Sequence, residues 1–139
     1  MGVVIDTAVL IAAERGTFDF NAFLTSLGDE PVALAAITAS ELLHGVARAR
    51  IAAIRTKRAA YVEGILANIP VLPFGLAEAR LHATLWATLA EKGRVIGAHD
   101  MLIAATALAI GSSVATLNRD EFRRVPALKL ESLSKFARG

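Results

Sequence analysis

The segment Gly97-Ala98-His99-Asp100-Met101-Leu102-Ile103-Ala104-Ala105-Thr106-Ala107-Leu108 governs how the rest of the chain is read. From Met101 to Ile110 only Thr106 carries a polar side chain, which predicts a buried helix over about Asp100–Ile110, stopped by Gly111. Asp100 then stands in its first turn, where the helix dipole favours an anion with no further purpose. The same place also lets a rigid helix present an acid to a pocket. His99 offers a nitrogen beside it, but no second His follows at i+4, so it reads as incidental.

Outward from this segment, short apolar runs alternate with helical ones. Val3-Val4-Ile5 ends in Asp6 and leads into a helical Ala8–Ala13 stopped by Gly16; Asp19–Leu27 reads as a second helix closed by Gly28. Pro31–Ala35 reads as a buried strand, Thr38–Arg48 as a helix opened by Thr38, and Ile51–Asn68 as a long helix. Val71-Leu72 is a short strand fenced by Pro70 and Pro73. Leu76–Lys92 is an amphipathic helix with Leu81, Leu85 and Leu89 four apart, and His82 in it reads as structural. Ser113–Thr116 is a fourth strand, Glu121–Arg124 a helical turn and Leu128–Leu130 a last edge strand. The alternation predicts an α/β fold with a central, mainly parallel sheet of four to five strands. Ligands of such sheets sit beyond the carboxyl ends of the strands. That rule lines up Asp6, the residues just after Ala35 and Thr116–Asn118 along one edge.

Composition narrows the classes. A chain of 139 residues without repeat, linker or low-complexity tract is read as one domain, 1–139. Hydrophobic residues make up 55% and the mean hydropathy is +0.52, much of it from alanine, which suits tightly packed helices. No apolar run approaches the ~20 residues of a membrane helix. The start, Met-Gly-Val-Val-Ile-Asp, has no basic region and carries an acid at position 6, so a secretory signal is not expected. The chain has no cysteine, which excludes disulfides and thiolate metal sites and agrees with a cytoplasmic location. The net charge is only +2, but Arg48, Arg50, Arg55, Lys57 and Arg58 crowd one region and Arg119, Arg123 and Arg124 another. Such clusters track phosphates or are simply solvated faces. At 6% aromatic residues, a base-stacking platform is not expected to dominate.

Each acid has a structural explanation of its own. Asp6 fits a helix N-cap. Glu41 completes a capping box, Thr38-Ala39-Ser40-Glu41. Glu41-Leu42-Leu43-His44 also matches the Glu-x-x-His of di-metal bundles, but a single copy in a strand-containing chain does not make that site. The pattern of the three is more telling than any one of them. Asp6, Glu41 and Asp100 each stand at a strand end or helix entrance, and this fold gathers such positions on one edge. Hard carboxylate oxygens so placed suit magnesium or manganese, which use few carboxylates and keep several waters. A cation held there could activate water and neutralise a phosphodiester transition state. Phosphate-binding glycine loops of the nucleotide-binding types are absent from the chain. A phosphoacceptor receiver domain is excluded as well, because Asp6 is single and Val71-Leu72-Pro73 carries no acid.

Four stretches in order, Val4–Ala12, Ser40–Val46, Ile96–Ala107 and Thr116–Phe122 with Val125-Pro126, resemble the PIN-domain ribonucleases, specifically the VapC toxins of bacterial toxin–antitoxin pairs. The resemblance runs over essentially the whole chain and implies a three-layer α/β/α arrangement. It implies that Asp6 and Asp100 are the principal ligands of Mg²⁺ or Mn²⁺, with Glu41 completing the metal shell or positioning the attacking water. The family commonly has a fourth acid where this chain has Asn118; Asp120 or Glu121 is a possible substitute, and Asn118 is expected to act as an orienting or water-mediated contact. Thr7 and Thr116 are expected to support the site. The implied activity is metal-dependent endoribonuclease cleavage of RNA, leaving a 5′-phosphate and a 3′-hydroxyl. The implied partners are a second copy of the chain in a homodimer and a VapB-type antitoxin, in a higher assembly, with the Ile51–Asn68 surface and Arg48–Arg58 as docking or RNA-binding regions. The alternatives are a PIN module that binds RNA or a partner without cutting, and a PIN nuclease of routine RNA processing.

Overall fold

The structure, a computed structural model, describes residues 2–138. Four strands, β1 (Val3–Ile5), β2 (Val32–Ala35), β3 (Val71–Leu72) and β4 (Ser113–Ala115), form one sheet in the order β3-β2-β1-β4. Every pairing is parallel, with Val4 opposite both Ala33 and Val114. The helices are α1 (Thr7–Glu14), α2 (Phe20–Leu27), α3 (Ala36–Ala47), α4 (Ala52–Asn68), α5 (Leu76–Glu91), α6 (Ala98–Ala109) and the single turn α7 (Arg119–Phe122).

Alternation along the strands divides the core in two, because successive side chains of a strand point to opposite faces. Val3 and Ile5 pack with Val9, Leu10, Phe23 and Val62 under α1, α2 and α4. Val4 packs with Leu89, Ile103, Ala104 and Ala107 under α5 and α6. The result is helix, sheet, helix in three layers. Alanine explains how α6 fits: Ala104, Ala105 and Ala107 are wholly buried, and small side chains let its backbone press close to the sheet. Phe18, Phe23 and Phe136 meet edge to face, with centroids 5.5–6.2 Å apart, and so tie the C-terminal turn to α2. Among the described residues, no helix is long and apolar enough to cross a membrane.

Two local expectations change. Helix α3 starts at Ala36, straight from β2, so Thr38 is an interior residue with a fully buried side chain and no capping box forms around Glu41. Leu128–Leu130 does not make a strand of its own. It joins β4 by one parallel bridge between Val114 and Leu130, because Pro126 and the left-handed Ala127 (φ 66°) turn the chain just before it.

The order β3-β2-β1-β4 places a topological switch between β1 and β4, since the chain leaves β1 toward β2 and returns to its other side at β4. Crevices at such points, beyond the carboxyl ends of the strands, are where open parallel sheets bind ligands.

Candidate active site

Asp6 follows β1 and occupies the N-cap position of α1, yet its carboxylate caps nothing. It turns instead to β4: Thr116 Oγ1 donates to Asp6 Oδ2 at 2.7 Å, and the backbone N–H of Asn118 donates to the same Thr116 hydroxyl at 2.9 Å. The Asp6 backbone N–H in turn donates to the Ala115 carbonyl at 2.9 Å. Asp6 is only 4% exposed, and burial raises its pKa above the ordinary carboxylate value; the Thr116 bond works against that, and the charge of Glu41 adds to it.

Glu41 reaches the same edge from the middle of α3. The Thr7 hydroxyl, 3.1 Å from that of Thr38, donates to Glu41 Oε1 at 2.7 Å. Its other oxygen, Oε2, lies 3.2 Å from His99 Nδ1. The imidazole therefore faces an acid of the site.

Asp100 stands in the first turn of α6, as the sequence indicated, with no side-chain cap at Gly97. Its Oδ2 accepts from Asn118 Nδ2 at 3.1 Å, and the same amide donates to Glu121 Oε2 at 2.8 Å. Burial, the adjoining Glu121 carboxyl and the charge of Asp6 push Asp100 up to about 7. Glu121 moves the other way: hydrogen bonds from Asp100, Asn118 and the Gly97 backbone hold it below its ordinary value. A Cβ on Gly97 would stand 3.6 Å from Asp100 Oδ2 and 3.8 Å from Glu121 Oε2, so Gly97 forms a close floor beneath both acids.

The structure brings Asp6, Glu41, Asp100 and Asn118 to one edge and adds Glu121 and His99. Asp120 points away, pairing with Arg123 in solvent. Glu121 was one of two substitutes the sequence offered for the fourth acid. The signal that separates it from Asp120 is helical phase: α7 begins directly after Asn118, and Glu121 lies at i+3 from the amide it meets.

Chemically this is a set of hard oxygen donors with little counter-charge. Among the described residues, neither Asp6 nor Asp100 pairs with a Lys or Arg. Among the same residues, no three His, Asp or Glu side chains form a ready-made metal cage. A cation that binds through one or two carboxylates and keeps its waters requires no such cage. The buried Asp6 and the raised Asp100 fit such an ion, because a positive charge would relieve both the burial and the mutual repulsion.

Comparisons with known proteins bear on the family and the fold. A model of the PIN domain matches residues 3–128. The chain is 37% identical over 134 residues to ribonuclease VapC1 of Rickettsia felis, covering 96% of this chain and 98% of that protein. It is 30% identical over 109 residues to a tRNA(fMet)-specific endonuclease VapC of Shigella flexneri, covering 78% and 80%. Among solved structures, VapBC2 from Rickettsia felis bound to a DNA fragment from their promoter superposes with a TM-score of 0.86 at 26% identity, covering 94% of this chain and 98% of that one. With its fold, its gathered acids and these likenesses together, the chain belongs to the PIN-domain family and, within it, to the VapC ribonucleases.

Proposed function

We propose that this chain is the toxin of a VapBC-type pair, a Mg²⁺- or Mn²⁺-dependent endoribonuclease that hydrolyses RNA. The observation that carries the reading is the convergence at the β1–β4 switch of Asp6, Asp100 and Glu121, joined through Thr116 and Asn118, with Glu41 held beside them by Thr7. Asp6 and Asp100 would hold the cation, which when bound would activate water and stabilise charge on the phosphate. Thr116 fixes the buried Asp6, and Asn118 keeps Asp100 and Glu121 oriented without adding a charge of its own. Glu41, with its oxygens already facing Thr7 and His99, positions the attacking water and accepts its proton. The water oxygen joins phosphorus, the P–O3′ bond breaks, and the departing O3′ takes a proton. A 5′-phosphate and a 3′-hydroxyl remain, and no protein side chain becomes covalently attached.

The partners follow the same reading. A groove of about 400 Å³ between α1, α3 and α4, lined by Ile11, Leu42, Ile54 and Tyr61 with Lys57 and Arg58 at its sides, is the surface we assign to the antitoxin. The exposed Trp86 and Val95, which line one shallow apolar hollow with His82 and Leu102, form a face suited to a second copy of the chain.

The test is expression of the wild type and Asp100→Asn, followed by growth and by Mg²⁺-dependent RNA cleavage. The wild type should arrest growth and cut RNA, and the variant should do neither. Equal cleavage by the variant would overturn the site, and cleavage that survives chelation would overturn the metal. RNA binding by the wild type with no cleavage would identify a non-catalytic module.

A further inference from the structure

Among the described residues, His99 is the one basic side chain paired with an acid of the site, and no part of the reaction described above requires it. Its Nδ1 stands 3.2 Å from Glu41 Oε2, while Thr7 holds Oε1 at 2.7 Å from the opposite side. Three elements therefore meet at one carboxylate: α1 through Thr7, α3 through Glu41 itself and α6 through His99. Glu41 is only partly buried, with a side-chain exposure of 30%, so nothing in the packing alone confines it. A glutamate of this exposure has three soft torsions and would otherwise sample solvent-facing rotamers. The imidazole comes from the residue next to Asp100, on the same first turn of α6. One turn of α6 thus carries both Asp100 and His99 to the site. The outer edge of the ring is open: the side chain is 56% exposed, and the approach of Nδ1 to Glu41 is its one polar side-chain contact among the described residues.

We propose that His99 is a positioning residue of the hydrolytic site, acting through Nδ1 to hold the Glu41 carboxylate against Thr7 in the orientation that meets the attacking water. The proposal rests on the ribonuclease reading and extends it to a residue whose sequence context gave no reason to select it. Removing the ring frees one oxygen of Glu41 and loosens the geometry of the reacting groups. Small displacements of a reacting group lower turnover more than they lower substrate binding.

The two ring nitrogens can be tested apart, because an Asn amide nitrogen falls near the place of Nδ1 and a Gln amide nitrogen near that of Nε2. In the Mg²⁺-loaded full chain, His99→Ala should lower kcat roughly tenfold and change KM less than about twofold. His99→Asn should recover most of kcat, and His99→Gln should not. A second readout needs neither metal nor turnover. In chelator, a double-mutant cycle of His99→Ala and Glu41→Gln, followed by denaturant unfolding, should show a coupling of about twofold to fivefold in the folding equilibrium. The affinity of the same proteins for a non-cleavable RNA in chelator should stay within about twofold of wild type.

Wild-type kcat in His99→Ala would overturn the proposal even with the coupling present, since the contact would then be structural only. Rescue by Gln rather than Asn, or a loss confined to KM and RNA affinity, would also overturn it and assign the outer nitrogen to the substrate. A wild type that does not cleave RNA at all would bring down the ribonuclease reading, and this proposal with it. That failure is distinguishable because the reference protein itself is silent.

Discussion

Thr116 Oγ1 donates to Asp6 Oδ2 at 2.7 Å, closing a bond between residues that follow two adjacent parallel strands, β4 and β1. The bond satisfies a carboxylate that is 4% exposed and has no cationic partner among the described residues. It also fixes which way Asp6 faces at the switch point of the sheet.

Thr116→Val keeps the shape and removes the donor, leaving the buried Asp6 oxygen without its partner. Unfolding should show a loss of about 1–3 kcal/mol, and cleavage a fall on the order of 10-fold to 100-fold. Thr116→Ser, which retains the hydroxyl, should recover most of both. A Val variant with wild-type stability and activity would remove Thr116 from the site.

Asp100 contributes to the pH dependence of the metal-free protein. Its pKa is about 7 in the fold against an ordinary 3.8, so the folded state binds the proton more tightly than the unfolded chain. Stability must therefore fall as pH rises from about 4 to about 7 and level off above that. Glu121 shifts downward and acts at the acid end, while the raised Asp6 acts in the same direction as Asp100 but is common to wild type and variant, so it largely drops out of their difference. Asp100→Asn is neutral throughout and should gain on wild type across that window. Solvent screening at this partly exposed position reduces the gain to on the order of 1–2 kcal/mol. Melting temperatures in chelator at pH 5 and pH 7.5 measure it; a wild-type-minus-variant difference that does not change with pH would contradict the assignment.

Asn118 donates to Asp100 and to Glu121, at 3.1 and 2.8 Å. Asn118→Asp replaces both donors with a further negative charge. In chelator near neutral pH the variant should lose about 1–3 kcal/mol, and Mg²⁺ should raise its melting temperature by more than it raises that of wild type, because a bound cation stabilises by mass action. An equal Mg²⁺ response in both proteins would show that this position lies outside the reach of the cation.

The surfaces assigned to partners are separable. Trp86, 55% exposed on α5, should leave folding unchanged when replaced as Trp86→Glu but should yield a monomer by sedimentation. Ile54→Glu in the α1–α3–α4 groove should instead weaken capture of the antitoxin, read by co-purification, and leave the dimer intact. If the two variants exchange these phenotypes, the assignment of the faces is reversed.

Hydrophobic periodicity made much of this legible in advance. The alternation of short apolar runs with helices determined a parallel α/β sheet, and the bounds of α5 and β3 follow it closely. Asp6 and Asp100 were visible as acids at a strand end and a helix entrance, because local position alone decides that. The family resemblance pointed to Thr7 and Thr116 as supports, but which acid each of them meets was not visible. Capping rules assigned Asp6 to its own helix and Glu41 to a box with Thr38, since those rules see only neighbours in sequence. The fold instead sends Asp6 to Thr116, 110 residues away, and Glu41 to Thr7 and His99. His99 read as incidental because a histidine's role depends on what faces it, and here that is a residue of another helix. Glu121 and Asp120 are adjacent and both acidic; only the phase of α7 turns one toward Asn118 and the other to solvent. The sequence by itself determined the layers and the places where charge could gather. Tertiary packing decided which side chains meet there, because those contacts join segments that only the closed sheet brings within hydrogen-bonding distance.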